Sequence, residues 1–269
     1  MKKRIFLTIL LLLITHTAFA QTCTWQGDGT NTNWSTANSW HGSTTDHLKP
    51  VTGDDVVFNN ATGCVVNEAT AALNSLNCTG YTGALTGTFN ITVTVASGTS
   101  TVLFAGTNPT WSGILLLNPA AGTTINLTFG SLTTAGTCGG ITIAGTTTGN
   151  VSMQDNVTIG ATKIVTLTRG TLTTDGVANR THSWGKFDAN NSNTRTITLG
   201  NSNITVVASG TSWNTSDTTN LTVSAGTSVI NVTGASSVFD NGGIGTGAGR
   251  KTYYTVNFTG SGAAQIVYG

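Results

Sequence analysis

Charge is scarce in this chain of 269 residues. Only 8% of it is Asp, Glu, Lys or Arg, against roughly 25% in an ordinary globular protein. Three of the eleven basic residues (Lys2, Lys3, Arg4) sit at the very start, leaving eight against ten acidic residues in the remainder, a net charge of −2. A surface this poor in clustered Lys and Arg excludes nucleic-acid binding and electrostatic attachment to anionic membranes. Ordinary catalytic side chains are also sparse: Glu68 is the only glutamate, and beyond the leader the histidines are His41, His47 and His182. Proline is limited to three residues, and no stretch of twelve carries a 3.6-residue apolar period, so helix should be close to absent. Mean hydropathy is +0.09, which with so little charge is not a disordered profile.

What is abundant is Thr, about a fifth of the chain, together with 34 Gly. The first residues read as an export signal. Lys2-Lys3-Arg4 precede an apolar run from Ile5 to Ile14, and Ala18-Phe19-Ala20 precede Gln21. A positive start, a short apolar run and an A-x-A site define a secretory leader cut after Ala20. That run is half the roughly 20 residues needed to span a bilayer, and no later segment is long and apolar enough, so membrane insertion is not expected. The expected location is secreted, extracellular or at the bacterial cell surface. There Cys23, Cys64, Cys78 and Cys138 meet an oxidising compartment. Of the three pairings that four cysteines allow, Cys64–Cys78 is preferred, because both fall in neighbouring strand-like segments. Buried free thiols are the alternative. No Cys/His spacing suggests zinc.

From residue 55 onward one texture recurs. Short alternating runs such as 91–95 (ITVTV), 125–129 (INLTF), 164–168 (IVTLT), 204–207 (ITVV) and 254–258 (YTVNF) are separated by Gly, Asn, Ser or Asp. Period-two alternation reads as strands with one buried face. Glycines 98, 122, 145, 170, 210 and 226 fall at the turns. Two stretches repeat at a distance: 91–100 resembles 204–212, and 121–128 resembles 225–233, with Trp111 and Trp213 between the matches. The offset of about 104 to 113 residues suggests a duplicated block of several turns. Without helices to cover a sheet, a β-sandwich array and a parallel β-solenoid remain. Irregular spacing and slot-like Thr, Asn and Val positions favour the solenoid, in which identical residues stack in ladders.

The N-terminal part then carries a family resemblance. Cys23-Thr-Trp25-Gln-Gly27, Trp34, Asn38-Ser39-Trp40, Pro50 and Gly53-Asp54-Asp55-Val56-Val57-Phe58 resemble the W-x-G…W…N-W…P…D-D-V-V-F opening of many secreted bacterial β-helical proteins, autotransporter-like adhesins among them. Asn38-Ser39-Trp40 departs from a plain N-W. The stretches 170–176, 193–200 and 249–254 are similar to repetitive solenoids in exported and phage-associated structural proteins. The resemblance implies an all-β, right-handed parallel β-helix with a Trp-rich N-terminal cap. The expected division is a leader at 1–20, a cap at 21–55 and solenoid repeats at 56–269, the last of these truncated at the C-terminal end.

Trp25, Trp34 and Trp40 are the cap aromatics in this reading; a sugar-stacking platform is the competing one. Of Tyr253-Tyr254, one ring should point inward and the other outward. Asp54 and Asp55, adjacent on a strand, should face opposite ways and so make a poor acid/base couple. Asp28, Asn31 and Asn33 form an oxygen-rich loop without full calcium-loop spacing. Lys163, Arg169, Asp155 and Asp175 are loose candidates for lyase chemistry, and His182, Ser183 and Asp188 a triad without its surrounding motif. His182 reads as a loop residue. The expectation is therefore a non-catalytic structural or adhesive module with no cofactor and no metal; a polysaccharide-binding or polysaccharide-degrading β-helix is the alternative. Partners would be surface glycans, or further copies joined through an open C-terminal coil at Gln265-Ile-Val-Tyr-Gly269, unless the final residues fold back as a cap.

Overall fold

The computed structural model describes residues 20–27, 32–42, 49–104, 111–130, 138–177, 179–242, 249–262 and 266–268. The expected leader therefore lies outside the described residues, as do Asp28, Asn31, His47 and Gln265. Among the described residues the regular structure is nearly all β; a single 3-10 turn, Ala37–Ser39, is the one helical element there. No helix there is long and apolar enough to cross a membrane.

The strands build a parallel β-solenoid with three faces. The first face stacks Thr22–Trp25, Asp55–Phe58, Ser75–Asn77, Thr99–Leu103, Thr124–Thr128, Asn150–Met153, 170–173, Arg195–Thr198 and Leu221–Ser224, all parallel and in register. The second face runs from Ala72–Leu73 through Ile91–Val95, Ile114–Pro119, Gly140–Ala144 and 164–168 to Lys186–Asp188, Gly210–Asn214, Ser237–Asp240 and Ile266–Tyr268. The third face is interrupted. Cys64–Val66 pairs with Leu85–Gly87 near the start, and Thr181–Trp184, Asn203–Val206, Val229–Val232 and Thr255–Phe258 form its later half. Between them, among the described residues, single bonds continue the ladder, such as Ser112 N to Gly87 O (2.9 Å) and Gly139 N to Gly113 O (2.7 Å).

Alternation explains this shape. In Ile91–Val95 the residues Ile91, Val93 and Val95 are buried while both threonines stay half-exposed. Every coil thus turns Val, Ile or Leu inward, where they meet their equivalents in the coils on either side, and leaves Thr or Asn outside. In the later coils the interior becomes an aromatic column. Phe187, Trp213 and Phe239 stack in register, with ring centroids 4.4 and 5.7 Å apart. At the N-terminal end Trp40–Gly42 pairs antiparallel with Thr22–Trp25, the one reversed strand pairing among the described residues. Trp25, Trp34 and Trp40 pack edge to face beneath it at 4.9 and 4.7 Å, and all three are buried. The indole N–H of Trp25 donates to Thr62 O, and that of Trp40 to Trp34 O. These aromatics close the first coil.

Two expectations are corrected here. The Cys64–Cys78 disulfide is not formed: all four cysteines are free and buried, and none lies at disulfide distance from another. Cys64 opens a strand of the third face, laddered to Leu85, whereas Cys78 follows a first-face strand and donates its backbone N–H to Leu103 O. They sit on different faces of the solenoid, so linear proximity did not make them stacked neighbours. The repeated stretches are not equivalent turns either. Ile91–Val95 belongs to the second face and Asn203–Val206 to the third; Thr124–Thr128 belongs to the first face and Val229–Val232 to the third. Their likeness is the shared texture of Thr-rich strands.

Candidate functional site

The ionisable groups that the sequence offered for chemistry are mostly built into the scaffold. His182 lies on the strand Thr181–Trp184, not in a loop, and is fully buried. Val157 N–H donates to its Nδ1 (3.2 Å), which leaves the proton on Nε2 to be donated to Thr174 O (2.7 Å). Burial pushes its pKa down to about 4, partly opposed by the Thr174 carbonyl and Asp175. A neutral ring bonded at both nitrogens has no free position for proton transfer. Ser183 points to the other side of the same strand, and Asp188 lies on the second face capping Asn190 N–H. The three do not form a triad.

Arg195 is likewise buried, and its guanidinium donates to the carbonyls of Asn193, Ala189, Asp217 and Thr219. It ties two turns of consecutive coils together. Cys23 donates to Asp54 Oδ2 at 3.3 Å, and its thiol is pushed up to about 12 by burial and by that carboxylate. Burial also raises the Cys64, Cys78 and Cys138 thiols, the last to about 11.

The loose lyase candidates are dispersed. Asp155 and Asp175 occupy the same corner in successive coils, accepting from Phe129 N–H and Asn201 N–H respectively. Lys163 and Arg169 bracket the strand segment 164–168 at two other corners, and Arg169 donates to Asn193 Oδ1. Asp54 and Asp55 do face opposite ways. Asp54 is buried and accepts from Val51 N–H and Gln21 N–H, whereas Asp55 is half-exposed on the first face. No group of three His, Cys, Asp or Glu that could hold a metal ion occurs among the described residues. Tyr253 turns inward, bonded to Trp213 Nε1 and Thr215, and Tyr254 is 63% exposed.

The outer side of the first face is the chemically ordered surface. Thr99, Thr124, Asn150, Thr171, Thr196 and Thr222 form one row, and Thr101, Asn126, Ser152, Thr173, Thr198 and Ser224 a second. None of these twelve positions is ionisable. Gln154 folds back over the second row, donating to Asn126 Oδ1 (3.0 Å) and Ser152 Oγ (2.8 Å). Towards the N-terminal end the rows run into a groove of about 470 Å³ lined by Asp55, Asn74, Ser75, Asn77, Thr101 and Leu103, among others. Asp55 Oδ1 accepts from Asn74 Nδ2 (2.8 Å) and Ser75 Oγ (2.5 Å). Sequence reasoning passed over this groove. The outward positions of single strands were readable, but their alignment across coils depends on turn lengths that no local pattern sets.

Compared with known proteins, the chain matches no family model, no curated protein and no solved structure.

Proposed function

We propose that the protein is an exported, non-catalytic structural or adhesive module that works from the cell surface or outside the cell. The observation that carries this reading is the uncharged double row of Thr, Ser and Asn along six consecutive coils of the first face. Such a surface is long, repetitive and chemically even, which suits contact spread over many weak hydrogen bonds rather than a reaction at one point. The commitment of His182, Arg195 and Asp54 to backbone partners supports the same reading, because each of them stabilises the scaffold. The leader-like start of the sequence and its resemblance to the opening of bacterial β-helical adhesins support export.

Protease shaving of intact cells, combined with flow retention of beads coated with the protein, tests this. The expected result is cleavage of the protein on whole cells and retention of the beads on polysaccharide-coated slides, with no release of reducing ends. Protein confined to the cytoplasm, or steady release of reducing ends, would overturn it and favour the polysaccharide-degrading alternative.

A further inference from the structure

We propose that the groove over Asp55 binds an uncharged, hydroxyl-rich oligosaccharide, with the Asp55 carboxylate as its hydrogen-bond anchor. The proposal rests on the adhesive reading above and gives it a ligand. Asp55 Oδ1 is already held by Asn74 and Ser75. No described residue donates to its other oxygen, Oδ2, and Asp55 itself lines the groove. A carboxylate oriented in this way is a strong acceptor for a sugar hydroxyl, since bonds to an ionised acceptor are roughly twice as strong as neutral ones.

Asn77 and Thr101 add amide and hydroxyl groups, and Leu103 supplies an apolar patch for the C–H side of a sugar ring. Because coils repeat every ~4.8 Å, the outward row from Asp55 through Ser75 to Thr101 extends over about 10 Å. That is the span of a disaccharide. No cation lines the groove, and its single formal charge is negative. Uronate or sulfate groups would meet Asp55 with like charge and lose their own hydration without replacement, so acidic glycans are disfavoured. A neutral chain continuing out of the groove would meet the hydroxyl rows of the following coils.

Titration of the purified protein with cellohexaose, mannohexaose and chitohexaose, against hexagalacturonate and a heparin hexasaccharide, tests the idea. At least one neutral hexasaccharide should bind with a millimolar or tighter dissociation constant, and neither acidic one should compete. Asp55→Asn should weaken binding tenfold or more, and Thr101→Arg, at an exposed position, should abolish it. Thr205→Arg, on the third face, should leave it unchanged, and circular dichroism should show all three variants folded. Absence of binding to every neutral probe, preference for the acidic ones, or native affinity retained in Asp55→Asn and Thr101→Arg would overturn the assignment. Bead retention that survives both groove substitutions would remove the groove and leave the adhesive reading standing.

Discussion

At the scale of single residues, the interior holds polar groups that titrate far from their usual range. His182 is the clearest case. Its folded pKa of about 4 lies below the ordinary 6.5, so the unfolded chain takes up the proton first as pH falls. The stabilisation from the neutral ring is complete above pH 6.5 and is lost progressively down to pH 4. Over those 2.5 units it amounts to about 3 kcal/mol. Urea midpoints measured across this window should fall with pH, and His182→Gln, which cannot titrate, should flatten the slope. A midpoint indifferent to pH in the native protein would show that the ring is not held as described.

The four thiols give a second test at this scale. Being free, buried and raised in pKa, they should resist iodoacetamide in the folded protein and react fully in denaturant. Reductant should leave the mass of the intact protein unchanged. A two-dalton gain on reduction would restore a disulfide.

At the scale of the strand and its turn, much was legible. The run 91–95 is a strand with the inward residues alternation demands, and the runs 125–129, 164–168, 204–207 and 254–258 each overlap one. Glycines 98, 122, 170, 210 and 226 do turn the chain with positive φ. What local pattern could not supply was the face on which a strand lies. Coil length varies, with Asp55 paired to Ser75 but Asn203 to Val229, so equal sequences such as 91–93 and 204–206 occupy different sides. The same uncertainty hid the placement of Cys64 and Cys78 on different faces and the convergence of Asp55, Ser75 and Thr101. His182 escaped for another reason: a polar residue between Thr181 and Ser183 gives no apolar alternation to announce a buried strand.

Turn glycines differ in what they tolerate. At Gly98 the φ is +73° and an added Cβ meets nothing within 4 Å. At Gly87 the φ is +109° and the same atom would lie 2.2 Å from Val66 O in the preceding coil. Gly98→Ala should therefore cost only the backbone term, about 1 kcal/mol. Gly87→Ala adds a steric clash with a fixed carbonyl and should cost about 3 kcal/mol or more. Thermal unfolding of the pair checks the order, and equal losses would contradict the close approach at Gly87.

At the scale of the whole molecule, each coil contacts mainly the coil before and the coil after, so stability propagates along one dimension. The aromatic column of Phe187, Trp213 and Phe239 and the clamp of Arg195 on the turns around Ala189 and Asp217 concentrate cohesion in the later coils. The Trp cluster does the same at the start. In the third face, Val229 sits 26 residues after Asn203 and Thr255 another 26 beyond it. Such a coil advances the stack by only ~4.8 Å, yet its backbone pulled straight reaches about 90 Å. The solenoid is thus a wound tether. Drawn from its ends in an optical trap, it should lengthen in steps of about 85 Å as single coils peel away. Under tension the fold therefore gives up slack one coil at a time, and each coil that peels away dissipates work before the next is loaded.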